Sequence, residues 1–407
     1  MIETARSAAG GRGTGSRFRW LPPLALSAAV VMLAPFVGVL QRWLRESFGL
    51  GYLRWVTVAL AVAGVLALAW ALARIRERRA LRYGTLALAG ALVALQMAAW
   101  RTGAAETDVV ERVHLLEYGL LAILFDRAFR PRHPGRLLPA LALAAVALVS
   151  LADEWVQWLT PVRVGDARDV VLNLWAGAVG LLVGLAFSPA PGLLRRSGPT
   201  SGRLAAGLGA VVVFAGAGFF DLAHLGHEVR DPRAGVFLSW HAPEQLLLAA
   251  EDRARRWPVE GPPPSRPLAL EDSFQTEAGW HASARNQAVA AGDLATAWRE
   301  NRILERWYRP FLDHRTGQRW PPAQRRATRE ELLARDPAAL GPSPRYRSPA
   351  LVGRVVPGPP AALLWTGAAA VAGALGWVAF GGRKMGRVAG TDMEKASAAP
   401  PEGETSR

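Results

Sequence analysis

Eight stretches of this chain are almost free of charge, and each is close to the roughly 20 residues a helix needs to cross a hydrocarbon core of ~30 Å. They run Leu21–Leu40, Trp55–Ala73, Tyr83–Trp100, Val113–Phe129, Leu137–Trp158, Val170–Ser188, Leu204–Phe220 and Pro360–Gly381. Lipid offers no partner to a backbone N–H or C=O, so a crossing segment must close its hydrogen bonds internally, and the Ala, Leu, Val and Gly content suits helices. The expected fold class is all-α: a polytopic transmembrane bundle of about eight spans with a small helical extracytoplasmic domain. The fourth span departs from the others, being short and carrying His114, Glu117 and Asp126. The first exceeds the roughly 7 to 15 apolar residues of a secretory signal and has no small-x-small cleavage site after it, so it is expected to remain as an anchor.

A formal charge of +15 over 407 residues would suggest nucleic acid in a soluble protein, but here the excess lies in short loops beside apolar spans. Topology explains it, and no nucleic-acid partner is expected. The absence of cysteine excludes disulfides, thiolate metal ligands and a cysteine nucleophile. Positive residues collect in cytoplasmic loops. Arg6, Arg12, Arg17 and Arg19 precede span one, Arg74, Arg76, Arg78, Arg79 and Arg82 join spans two and three, and Arg127, Arg130, Arg132 and Arg136 join four and five. Arg195, Arg196 and Arg203 join six and seven, and Arg383, Lys384 and Arg387 follow span eight. All of these are assigned inside. The first outer loop, with Arg42, Arg45 and Arg54 against Glu46, fits the rule least well.

The resulting organisation is a cytoplasmic N-terminus (1–20), three transmembrane helices (21–100), a core of three more (101–190), a single helix (204–220), an extracytoplasmic helical domain (221–359), a last helix (360–381) and a disordered cytoplasmic tail (382–407). Within 221–359 the spacing predicts a helical pair, Phe274–Ala291 and Leu294–Leu312, broken at Gly292–Asp293 and seamed by Trp280, Trp298, Ile303, Leu304, Trp307 and Tyr308. Gly261–Pro267 and Gly341–Pro349 read as Pro-rich linkers.

Charged carboxylates within spans are costly, at least ~2.5 kcal/mol on insertion scales, and so mark candidate sites. Span four opens with His114, Glu117 and Tyr118; span five ends with Asp153, Glu154 and Gln157; span six follows Arg163, Asp166 and Asp169 and carries Asn173 and Gly177. The i, i+3 and i, i+4 spacings align each group on one helix face, and the topology brings all three to the outer side. Blander readings exist for each part. Asp166 with Asp169 suits a helix N-cap, Arg163 a counter-charge, Gly177, Gly180 and Gly184 close helix packing, and Tyr118, Trp155, Trp158 and Trp175 interface anchoring. The number of ionisable groups at one depth favours a functional site. A second constellation, His224-x-x-His227-Glu228 with His241, resembles metal spacing only loosely.

The stretch Val113–Gly184 resembles the VanZ-like family through His114-x-x-Glu117-Tyr118, Asp153-Glu154-x-x-Gln157 and Arg163 followed by Asp169-x-x-x-Asn173-x-x-x-Gly177. Gly226-x-Glu228-Val229-Arg230-Asp231 is similar to what larger members carry after the core. The family is named for a protein associated with teicoplanin resistance. The resemblance implies a cell-envelope role, with partners among membrane lipids, a lipid-linked envelope precursor or a glycopeptide. The residues alone also admit a membrane-embedded enzyme acting on a lipid headgroup, with a divalent metal held through oxygen and imidazole or without one. A transporter fits less well, because its ionisable groups belong near the midplane. No cofactor and no catalytic residue can be assigned from the sequence.

Overall fold

The computed structural model describes residues 18–100, 105–160, 165–189, 192–257, 272–314, 318–358 and 360–380. Arg163, the Gly261–Pro267 linker, the N-terminal arginines up to Arg17 and the tail after Gly390 lie outside them.

Eight long helices form the bundle: α1 (Leu21–Phe48), α2 (Tyr52–Arg74), α3 (Arg79–Ala99), α4 (Ala105–Phe129), α5 (Leu138–Trp158), α6 (Ala167–Phe187), α7 (Pro199–Ala223) and, after the polar domain, α13 (Ala361–Phe380). All except α4 have the length and composition to cross a membrane. The exception is the fourth expected span, a 25-residue helix whose polar residues follow from its position. It packs against α6 and α5, with α1 and α2 on its other sides, and Tyr118, Leu121, Ala122 and Phe125 on it are buried. A helix shielded by its neighbours can carry groups that lipid would not accept. By contrast α2 has, among the described residues, no buried residue in its most apolar stretch, and Val65, Leu66 and Trp70 face outward, as suits a helix seated in lipid.

Two details of sequence set the packing. An ideal Cβ on Gly180 would lie 2.2 Å from the Gly119 carbonyl oxygen and 2.4 Å from Gly119 Cα, so α4 and α6 touch backbone to backbone there, as small residues in membrane helices permit. At the other end of α4, Arg130 pairs with Asp126 one turn earlier and donates to the Ser188 carbonyl at 3.0 Å. The buried Asp126 is thus half of a clasp closing α4 onto the end of α6.

Between α7 and α13 lies the polar domain. Its helical pair is present as α9 (Ser273–Ala290) and α10 (Leu294–Trp307). Asp272 and Asp293 cap them through the backbone N–H groups of Gln275 and Thr296, and Gly292, at φ 76°, makes the left-handed turn that ends α9. The second helix stops earlier than expected and continues as α11 (Arg309–Asp313), because Pro310 has no N–H to extend the ladder. Two further helices are α8 (Pro243–Arg256) and α12 (Pro322–Arg335).

The domain is not wholly helical. β1 (Leu225–Asp231) pairs antiparallel with β2 (Gly235–Ser239) and parallel with β3 (Val356–Pro357), giving the order β2-β1-β3. Asp231 closes the hairpin by accepting from the Arg233 and Ala234 N–H groups at 2.8 and 2.9 Å. Although burial opposes it, these bonds and the Arg306 guanidinium hold its carboxyl below the usual range.

The core gathers Val229, Phe237, Leu246 and Phe274 around Ile303, Leu304, Trp307 and Tyr308. Trp298 packs instead with Trp320 in a smaller cluster, and Trp280 leaves the seam to lie under the Arg354 guanidinium, 4.6 Å from the ring centre. The segment expected as a second linker, Gly341–Pro349, is also part of the domain. The Tyr346 carbonyl accepts from Val236 N–H at 2.8 Å, Ser348 N–H donates back to Val236 at 2.9 Å, and the Tyr346 hydroxyl donates to Glu300 at 2.5 Å.

Candidate functional site

The first turns of α4, the end of α5 and the start of α6 meet at one end of the bundle, as the motif spacing requires. Tyr118 donates its hydroxyl to Asp153 Oδ2 at 2.9 Å. Gln157, one turn on, donates its amide to Asp153 Oδ2 at 3.3 Å and to Glu154 Oε1 at 3.1 Å. The other Glu154 oxygen accepts the Asp166 backbone N–H at 2.9 Å. Asp153, Glu154 and Gln157 are buried, as is Tyr118, which is therefore a structural partner of Asp153 rather than an interface anchor. These donors to the two carboxylates are neutral, which suits groups withdrawn from water.

A second chain of bonds runs beside the first. Asn173 donates its amide to Ser150 Oγ at 2.9 Å and turns its Oδ1 toward His114 Nδ1 at 3.1 Å. An acceptor there takes a hydrogen bond from Nδ1–H, and His114 Nε2 has no hydrogen-bond partner among the described residues. His114, Glu117 and Asp169 are half-buried. They are the members able to meet a ligand, while Tyr118, Ser150, Asp153, Glu154, Gln157 and Asn173 form a buried, hydrogen-bonded base beneath them.

Asp166 caps α6, accepting the Arg168 N–H at 2.9 Å, which bears out its reading as an N-cap. It has further neighbours from the polar domain side: His224 Nε2 at 4.0 Å and Arg354 Nη1 at 3.8 Å. His224 follows α7 directly. Its Nε2 accepts the Ala167 N–H at 2.8 Å and its Nδ1–H donates to the Arg354 carbonyl at 2.8 Å, so this buried ring is held by both nitrogens between α6 and the segment that leads to β3. The polar domain is thereby fastened to the N-terminus of α6, one residue from the N–H that Glu154 accepts.

The histidines of the loose metal pattern part company. His224 is in this fastening, His227 is exposed on β1, and His241 Nδ1 meets Glu277 at 3.1 Å. Among the described residues no group of three or more His, Asp or Glu is placed to hold a metal ion. Arg163 falls outside the described residues.

Sequence reasoning passed over Ser150, Gly165 and Arg354, and set His224 in a loose metal pattern rather than in this fastening. Ser150 had a signal, since it shares a helix face with Asp153, Glu154 and Gln157 at i+3, i+4 and i+7. Gly165 is required because a Cβ there would lie 2.5 Å from the Glu154 carbonyl oxygen.

Helices of this length and composition around a buried carboxylate cluster define a polytopic helical membrane protein with a polar site at one end of its bundle. Residues 55–188, from the start of α2 to the end of α6, match the family model described as VanZ/LLP1. This stretch is a VanZ-like unit, and α1, α7, the polar domain and α13 lie outside it. No match was found among curated proteins or solved structures.

Proposed function

We propose that this protein acts in the cell envelope, with its acid cluster opening on the outer face of the membrane to receive the polar headgroup of a lipid-linked envelope precursor or a glycopeptide held near the surface. The carrying observation is the division of the cluster: His114, Glu117 and Asp169 are partly exposed, over a base of buried groups that hold one another in place. Such a base keeps the upper groups oriented before a ligand arrives, which lowers the cost of binding. The VanZ-like character of the chain supports the choice of partner. His114, with Nε2 unpartnered among the described residues and Glu117 one helical turn on, favours a second reading, general acid/base chemistry on the same headgroup.

The orientation rests on the arginine distribution, and the lack of cysteine makes it direct to test. Cysteines placed singly at Glu244 and Ser283 are expected to react with a membrane-impermeant maleimide in intact cells, and a cysteine at Glu77 is expected to stay protected. Labelling at Glu77 with protection at Ser283 would reverse the orientation.

The site itself is tested by comparing three variants for protein level and for teicoplanin susceptibility. Glu117→Gln is expected to accumulate normally and to lose the phenotype. Glu154→Gln turns an amide toward a backbone donor and is expected to lower stability by about 1–3 kcal/mol. Asp166→Asn keeps a good cap and is expected to cost under about 1 kcal/mol. Normal abundance of Glu117→Gln with unchanged susceptibility would remove the acid cluster from the function. Turnover of a lipid-linked precursor by wild-type proteoliposomes, absent with His114→Gln, would select the enzymatic reading over simple binding.

A further inference from the structure

At the end of the bundle opposite the acid cluster, the first turns of α3, the last turns of α6 and the turn that follows α6 enclose a groove of about 700 Å³. Its walls include Leu81, Leu182 and Leu194, and among the described residues its charged lining is Arg78, Arg82 and Arg195, with no acidic residue. Arg78 and Arg82 are one helical turn apart, on the same side of the helix start. None of the three guanidinium groups makes an ion pair among the described residues, and Arg82 Nε is buried without a hydrogen-bond partner.

The groove is built rather than incidental. Gly192, at φ 77°, starts the turn, Arg195 N–H closes it onto the Gly192 carbonyl at 2.9 Å, and the Arg195 carbonyl accepts from Arg136 N–H at 3.1 Å. Gly135, at φ 110°, makes room for this contact, since a Cβ there would lie 2.9 Å from the Arg195 oxygen. The turn so fixed holds Leu194 outward at 95% exposure, and Leu81 across the groove is 68% exposed. Leucines held this way at the end of a membrane bundle are suited to acyl chains, and arginines without an ion pair in the same groove are suited to phosphate.

We propose that this groove binds an anionic phospholipid, the arginines taking the headgroup phosphate and the leucines the first part of an acyl chain. A zwitterionic lipid offers the same chain but a headgroup ammonium that three cations repel. Free phosphate offers the charge but leaves the leucines uncovered.

The test uses the full chain purified in a neutral detergent and native mass spectrometry with phosphatidylglycerol and phosphatidylcholine of identical chains. Phosphatidylglycerol adducts are expected to persist at least about tenfold more strongly, from roughly fivefold per arginine in contact. The triple variant R78Q/R82Q/R195Q should bring them to the phosphatidylcholine level, while R76Q, at the same end and outside the groove, should keep the preference. If the triple variant does not fold, R195Q alone, on the turn, should remove about fivefold. Equal retention of the two lipids, or a preference that survives R195Q and the triple variant unchanged, would overturn the proposal. Displacement of phosphatidylglycerol by millimolar inorganic phosphate would show a free-phosphate site and overturn the lipid assignment.

Discussion

Replacing Gly180 with valine is expected to leave almost no folded protein in the membrane, and alanine is expected to cost about 3 kcal/mol or more, at or above the upper end of ordinary overpacking. The atoms that a Cβ would meet are Gly119 O, Cα and C, at 2.2, 2.4 and 2.6 Å. They are backbone atoms of a helix, so no side chain can swing aside and the two helices must separate. Separation of α4 from α6 does more than lose packing. Gly119 is next to Tyr118, which reaches Asp153, and lies one turn and a half from His114, which reaches Asn173 on α6. Both chains of the polar base would open together. Gly207→Ala is the control: it lies within α7 with no other atom near its missing Cβ, and alanine there should be neutral or stabilising by up to about 1 kcal/mol. Detergent-solubilised fluorescent fusions, followed by thermal size-exclusion profiles, would measure both. A melting temperature for Gly180→Ala within experimental error of wild type would show that α4 and α6 are not in backbone contact.

The spans were legible because a bilayer imposes one solution on an apolar segment, and the helices depart from the expected bounds mainly at their ends, as where α1 runs on to Phe48. The fourth span was legible as a helix but looked weak for the reason that makes it central: its polar residues face neighbours rather than lipid. The site was legible because each helix supplies its polar groups at i, i+3 or i+4, so local spacing fixes the face and topology fixes the end. That failed for contacts joining distant parts of the chain. Nothing near His224 announces that the Arg354 carbonyl will accept a hydrogen bond from it, and nothing near Trp280 announces the same arginine above its ring. The small sheet was hidden for a similar reason. β3 is two residues long and pairs in parallel with a strand more than a hundred positions earlier, and β1 begins straight after α7 with no turn residues to mark the change. The three motifs between His114 and Gly177 fall within the matched region, but the match begins at residue 55, in helices whose composition alone carries no signature.

Within the polar domain, the largest single effect is expected from Glu277→Ala. This carboxylate is fully buried on α9. It accepts from Ser239 Oγ at 2.8 Å, Trp240 N–H at 2.7 Å, Tyr308 Oη at 2.6 Å and His241 Nδ1 at 3.1 Å. It therefore ties the end of β2 to α9 and to the break between α10 and α11. Burial and the adjacent carboxylate push the Tyr308 hydroxyl well above its usual range, so it remains a donor under all ordinary conditions. Alanine would strand these donors away from water at about 1–3 kcal/mol each. Because they share one acceptor the losses do not add, and a total of about 4 kcal/mol is expected, a large fraction of the ~5–15 kcal/mol that holds a domain together. Glutamine keeps the shape and one good acceptor oxygen and should lose about half as much. Hydrogen exchange of the full chain resolves where the loss falls. In Glu277→Ala the amides of β2 and α9 should exchange much faster, and those of α4, α5 and α6 should hold, because the bundle closes its own hydrogen bonds and meets the polar domain at His224, Arg354 and Trp240, whose indole N–H donates to the Ala223 carbonyl. Unchanged protection in β2 and α9 would mean that Glu277 is not the tie between them; faster exchange spreading into α6 would mean that the fastening at Ala167 carries stability from the domain into the site.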